Sequence, residues 1–223
     1  MAGGVLMLSG MNVFLPINQL IPIHGVVQFF NNAMRSYLLR KHIRMAMCIP
    51  FTFGACVGAA AMVYLLLQLH PNQSLQLLLL LSLVGYTIFK PKHMPQLIIK
   101  DRNFIFVGIL TGAFGVLAGA IDPLLGAFFY RDDLAKEEVV ANKSVMQLVT
   151  HLTKIPAFIT MGFAFEEHLP LIALLSIVAI LSTSLGVFCL GKINRSFFKK
   201  LMWWALLFAF VHLIYKLIEL NIS

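Results

Sequence analysis

Gln147, His151 and Lys154 stand at i, i+4 and i+7, and Gln28, Asn32 and Arg35 repeat that spacing 119 residues earlier. Residues at these intervals share one helix face. Lys143 lies one turn ahead of Gln147, and His24 one turn ahead of Gln28. Arginine and lysine supply positive charge, while glutamine, asparagine and histidine supply neutral donors. The chemistry on offer is recognition of an anion by charge-assisted hydrogen bonds. His24 and His151 add groups whose ordinary titration lies near neutrality, which suits proton coupling. Asp122, in "GAIDP", completes the candidate set.

These polar stripes sit in an apolar chain. Of 223 residues, 60 % are hydrophobic and 12 % charged, too few charges to cover the surface of a soluble domain. Met45–Leu69 and Leu169–Leu190 are each uncharged for longer than the roughly 20 residues that cross a bilayer core. Leu75–Phe89 and Leu201–Tyr215 reach that length with their flanks. The fold class is therefore an all-α polytopic membrane protein, multi-pass in the cell inner (plasma) membrane. The net charge of +8 does not mark a nucleic-acid face. Fourteen of the 17 Lys and Arg gather at 40–44, 90–102, 131–143 and 192–200, the pattern of cytoplasmic loops. "LHPNQS" (69–74) and "FEEH" (165–168) carry no Lys or Arg and read as the opposite side.

Sidedness sets the path. Leu20–Leu39 ends inside at "RKHIR", Met45–Leu69 goes out, and Leu75–Phe89 returns to a cytoplasmic basic loop over 91–102. Residues 103–130 have basic residues at both ends, which one continuous crossing does not allow. A re-entrant helical hairpin does allow it: in to about Gly119, a turn near Asp122–Pro123, and a half-helix back. Irregular backbone at that depth requires protein or a watery cavity around it. Gly108, Gly112, Gly115 and Gly119 form a small-residue stripe against which another helix can pack closely. From Lys143 the chain crosses outward to "FEEH", returns through Leu169–Leu190 and leaves again through Leu201–Leu220.

The 119-residue offset also sets Gly3–Gly4 on Asp122–Pro123. The helix with Gln28 ends inside and that with Gln147 ends outside, so the repeats are inverted in topology, a plan used by many secondary transporters. The division is 1–90 for the first repeat, 91–102 for the loop and 103–223 for the second. Bland readings stand beside the functional ones. Arg35, near a helix end, can snorkel, and Gln28 and Gln147 can serve as interhelical glue. Lys154 lies eleven residues beyond Lys143, about 16 Å at helical rise, where a charge is costly and marks a pathway or a partner. Cys48, Cys56 and Cys189 lack pairing or metal spacing and read as buried small hydrophobes. No cofactor or metal site is expected. An intramembrane enzyme built on Asp122, His24, His151 and Ser144 is disfavoured, because no nucleophile elbow, HExxH or phosphate loop is present. An anion channel or a membrane assembly subunit is the remaining alternative.

Over "GAIDPLLGAFFYRDDLAKEEVVANKSVMQLVTHLTKIP" and "HGVVQFFNNAMRSYLLRKHI" the sequence resembles the TauE/SafE (sulfite exporter, TSUP) family of membrane transporters. The resemblance implies export or uptake of sulfite, organosulfonates or other small organosulfur anions, coupled to an ion such as H+ or Na+. It departs at the start. Family members open with a hydrophobic helix running into a glycine-rich turn, and here Gly3–Gly4 come first, so the first hairpin is expected to be truncated. The expected function is a transporter, acting as an exporter, of small sulfur-containing anions by alternating access, with assembly into a homo-oligomer left open. The topology is testable in a cysteine-free background. Cysteines at Gln73 and Glu167 should react with an impermeant thiol reagent from outside, and ones at Lys92 and Ser196 only from inside. Labelling of position 167 from inside would overturn the inverted plan.

Overall fold

The computed structural model describes residues 14–68, 98–118 and 121–222, together with Met7, Met11, Leu78, Leu81, Ser82, Gly85, Ile88 and Phe89. The described residues are helical, with short connections and no strand. The helices are α1 (Ile17–Leu38), α2 (Met45–Gln68), α3 (Phe104–Ala118), α4 (Asp122–Phe129), α5 (Lys136–Thr160), α6 (Leu169–Lys192) and α7 (Arg195–Ile222). Single 3-10 turns lie at Arg40–His42, Asp101–Asn103 and Phe165–His168. Among the described residues, three stretches are long and apolar enough to cross a membrane: Met45–Gln68, Phe165–Lys192 and Arg195–Glu219. Most of the span read at 75–89, the loop residues 90–97, Gly3–Gly4 and Gly119 lie outside the described residues.

α5 has the length to cross but not the apolarity, and its ends show why it is nonetheless a helix. Glu137 and Glu138 occupy its first turn, where carboxylates complement the helix dipole, and the Glu138 side chain accepts the Ala135 N–H at 2.9 Å. At the other end Gly162 has φ +85°, and the Gly162 and Phe163 N–H groups donate to Ile159 O and Phe158 O. That is a Schellman stop, which needs a residue at ease in the left-handed region. Its polar residues Asn142, Lys143, Ser144, Gln147, His151 and Lys154 are all buried against protein. α6 and α7 show the reverse: Leu174, Ile177, Leu181, Leu185, Trp204 and Val211 are large, apolar and exposed.

The hairpin inferred over 103–130 is present in its geometry. A continuous helix from Phe104 to Phe129 would separate its ends by about 38 Å. Instead the two rings lie 5.9 Å apart, and Arg131 reaches back to Ile99 O at 3.4 Å. Asp122 and Pro123 open the returning helix. α3 ends at Ala118, and Asp122 already belongs to the first turn of α4, with Pro123 beside it where its missing N–H costs nothing.

α3 is held by α2 at backbone contact. A Cβ on Gly54 or Gly58 would come within 2.0 or 2.1 Å of Ile105 O or Ile109 O. Reciprocally, one on Gly108 or Gly112 would come within 2.2 Å of Phe51 O or Ala55 O. The glycines thus interlock in pairs, and neither helix can carry a side chain there without separating from the other. The remaining packing runs α1 against α5 and α6, α2 and α3 against α5, and α4 against α5 and α7. Leu124, Leu125, Phe128 and Phe129 of α4 join Phe51, Phe104 and Met146 in the main core.

Asn142 ties two helices on the basic-loop side. Its Oδ1 accepts the Arg44 N–H at 2.7 Å, and its Nδ2 donates to His42 O and Glu138 O. Nearby, Arg131 forks onto Asp133, and that pairing outweighs desolvation and holds the Asp133 carboxyl below its ordinary range. Arg195 donates to Asp132 O and Leu134 O, Lys199 pairs with Asp132, and Lys136 donates to Leu190 O and Ile193 O. The cysteine reading is corrected in part: Cys48 is buried, but Cys56 and Cys189 are exposed on apolar helices, where a thiol next to lipid is as acceptable as one in a core. If the α2–α3 contact sets hairpin depth, Gly108→Leu should lower the melting temperature of the purified protein. A ΔΔG of about 1–3 kcal/mol is expected from overpacking. Gly191→Leu, where a Cβ meets nothing within 4 Å, should change it little.

Candidate anion site

α4 is too short to place its own N-terminus, and a polar contact does so. Oδ1 of Asp122 accepts Lys143 Nζ at 2.8 Å and Gln147 Nε2 at 2.7 Å. Both donors come from α5, one turn apart, so the tip of the hairpin is pinned to the helix with the polar stripe. The carboxylate also lies at the start of α4, where the helix dipole favours negative charge.

Farther along α5, His151 meets His24 of α1 edge-on, ring centroids 6.0 Å apart. Nδ1 of His151 is buried and has no hydrogen-bond partner among the described residues. Lys154, 1 % exposed, runs between two glycines. A Cβ on Gly25 of α1 would lie 3.9 Å from its Cδ, and one on Gly115 of α3 would lie 3.3 Å from its Cε. Absent side chains on α1 and α3 thus make the slot for the lysine stem.

The α1 stripe turns elsewhere. Gln28 accepts Asn31 Nδ2 at 2.9 Å, and Asn32 donates to Gln28 O at 2.8 Å. Arg35 donates to Asn32 Oδ1 at 3.3 Å and to Thr183 Oγ1 of α6 at 3.5 Å, and the Thr183 hydroxyl donates to Asn31 Oδ1. Gln28, Asn31, Arg35 and Thr183 line a cavity of about 720 Å³ whose other walls are mostly apolar side chains of α6 and α7.

The nine sequence candidates therefore form two groups. Asp122, Lys143, Gln147, His151, Lys154 and His24 pack around the hairpin tip and the α1–α5 contact. Gln28, Asn32 and Arg35 form a ladder facing α6. Sequence reasoning missed Asn31, Thr183 and Gly25. Asn31 stands at i+3 from Gln28, and "STS" (182–184) interrupts an otherwise apolar run; both were visible signals. Gly25 had none.

A buried pair broken on one side leaves a charge without its partner. Lys143→Met should therefore destabilise the protein by about 3–5 kcal/mol. The double variant Lys143→Met/Asp122→Asn should recover most of that loss in thermal unfolding. Equal loss in single and double variants would mean that the pair does not hold the tip.

Compared with known proteins, the chain matches the family model Sulfite exporter TauE/SafE over residues 1–213. No curated protein and no solved structure matches it. The match takes in the hairpin, both polar stripes and the helices that carry them. The chain belongs to the TauE/SafE family of sulfite-exporter-type membrane transporters.

Proposed function

We propose that this protein exports a small oxyanion, sulfite or an organosulfonate, across the cell inner membrane by alternating access between two inverted halves. The halves are residues 1–90 and 103–223, joined by the basic loop. The observation that carries the reading is the formal charge on the packed helices α1 and α5 and the hairpin tip. Lys143 and Lys154 of α5 and Arg35 of α1 carry three formal positive charges, and Asp122, which meets Lys143 at 2.8 Å, is the one carboxylate set against them. The other eight acidic residues lie in loops, 3-10 turns or terminal turns of helices. Three against one leaves an excess of +2, and a low-dielectric interior holds such an excess at high cost unless an anion enters.

The contacts of α1 and α5 support the inverted plan. A two-fold axis that exchanges halves offset by 119 residues maps a contact i–j onto j−119 and i+119, which conserves the sum of the two numbers. His24–His151 has the same sum as Gln28–Gln147, the pair such an axis exchanges. The packing of α1 on α6 and of α2 on α5 are images of each other under the same operation. An ion-coupled step, by H+ or Na+, has its candidate carrier in the His24–His151 contact, with Lys154 one turn away. The enzyme alternative is weakened at Ser144, whose hydroxyl donates to Val140 O at 2.7 Å within its own helix.

Lys154→Met tests the reading. It should insert normally, because an apolar side chain inserts more readily than a charged one. It should lose sulfite binding by about 2–5 kcal/mol, measured by calorimetry at matched thermal stability. Lys154→Arg, which keeps the charge in another shape, should retain part of it. His151→Gln should bind sulfite while flux in proteoliposomes loses its pH dependence. Wild-type affinity in Lys154→Met would remove the anion site from this helix.

A further inference from the structure

Where α7 begins, four cations from three elements line one small cavity. Arg131 comes from the loop after α4, Lys136 opens α5, and Arg195 and Lys199 stand one turn apart on α7. The cavity measures about 120 Å³. Its floor is apolar, since Phe129, Leu134, Val139, Phe198 and Met202 are all buried.

Three of the four cations are answered from within the chain. Arg131 pairs with Asp133 and Lys199 with Asp132, while Lys136 donates to Leu190 O and Ile193 O and meets Glu137 at 3.4 Å. Arg195 is different. Its Nη2 donates to Asp132 O and Leu134 O, and among the described residues it makes no ion pair and no hydrogen bond through Nε or Nη1. Most of its planar fork, the shape that matches a phosphate, is therefore left for a ligand. Set against Asp132, Asp133 and Glu137, the four cations leave an excess of one positive charge, which suits a group with a single negative charge.

Position and size narrow the choice. From Arg195 onward α7 is long and apolar enough to cross a membrane, so its first turns lie at the level of the headgroups. Trp203 stands at i+4 from Lys199, and Trp203 and Trp204 are the chain's two tryptophans, a residue type that collects at that level. At roughly 30 Å³ per water molecule, the cavity takes a phosphate-sized group and leaves an acyl chain outside. A free inorganic anion would answer Arg195 but leave the apolar floor unmatched, whereas a glycerophospholipid brings phosphate and hydrocarbon together.

We propose that this cavity binds the phosphodiester of an anionic phospholipid of the phosphatidylglycerol type, with the phosphate on Arg195 and the glycerol end over the apolar floor. Basic pockets between membrane helices hold anionic headgroups in this way. In a zwitterionic lipid the choline cancels the charge that Arg195 lacks. The bound lipid completes the clasp between the loop at the foot of the hairpin and the start of α7, so the bilayer supplies a counter-charge that the chain does not. The site is separate from the polar stripes of α1 and α5 and stands independently of them.

The test uses the full chain carrying Trp204→Phe, which leaves Trp203 as its one tryptophan, in nanodiscs of phosphatidylcholine. Dibrominated phosphatidylglycerol or dibrominated phosphatidylcholine replaces part of the lipid, and quenching of Trp203 fluorescence is read against mole fraction. Half-maximal quenching should come at a mole fraction at least about threefold lower for phosphatidylglycerol. Arg195→Gln should bring the two lipids level, and Arg195→Lys should keep part of the preference. Lys199→Gln, at a half-exposed ion pair, should weaken the preference by releasing Asp132 to Arg195, and it keeps the test open if Arg195→Gln lowers the melting temperature. Lys41→Gln/Lys100→Gln removes two exposed cations elsewhere and should leave the preference intact. Equal quenching by the two lipids in the parent chain would overturn the site. A preference that survives both Arg195→Gln and Lys199→Gln would belong to diffuse surface charge and overturn it too. Loss of the preference on adding inorganic phosphate, beyond that caused by sodium chloride at equal ionic strength, would reassign the cavity to a free oxyanion and overturn the lipid.

Discussion

The placement of the hairpin against α5 depends on one carboxylate oxygen. Asp122 Oδ1 accepts a lysine ammonium and a glutamine amide from successive turns of α5. Eight residues make about two turns of helix, too short to persist alone in any solvent. The polar anchor holds the N-terminal end of α4, and Leu124, Leu125, Phe128 and Phe129 fasten the rest of it into the core. The same oxygen therefore decides where the hairpin stops and which face α5 must present. It also fixes a positive charge at the tip, the Lys143 ammonium.

Glycine does the complementary work of allowing approach. Between α2 and α3 it lets two backbones touch. Around Lys154 it does something different: Gly25 and Gly115 leave a channel wide enough for an alkyl stem, so that a buried cation is accommodated without displacing a helix. One residue type thus serves both the rigid scaffold and the charged site. The stability of the site and that of the fold are consequently hard to alter independently along α3.

The helical elements and the hairpin were legible because their causes are local or additive. Apolar length marks α2, α6 and α7, and the basic residues flanking 103–130 exclude a single crossing. Periodicity placed Lys143, Gln147, His151 and Lys154 on one face, and all four are buried together. What periodicity cannot supply is the neighbour to which a face turns. Gln28, Asn32 and Arg35 have the same spacing as their counterparts, yet they face α6 and not the hairpin tip. Thr183 and Gly25 belong to the sites only through packing, and Asn142 is fully buried as a clasp between α1–α2 and α5. Cys56 and Cys189 show the matching limit of composition, since a lipid-facing position and a protein core select the same small apolar residue.

The meeting of Phe104 with Phe129 has an architectural consequence. An element whose two ends lie side by side reverses no other helix, however deep it reaches. Parity in such a bundle is set by the full-length helices alone. A hairpin of this kind can be lengthened, shortened, gained or lost while every remaining helix keeps its direction. Innovation at the tip, where Asp122 meets α5, is thereby uncoupled from the direction of the helices around it.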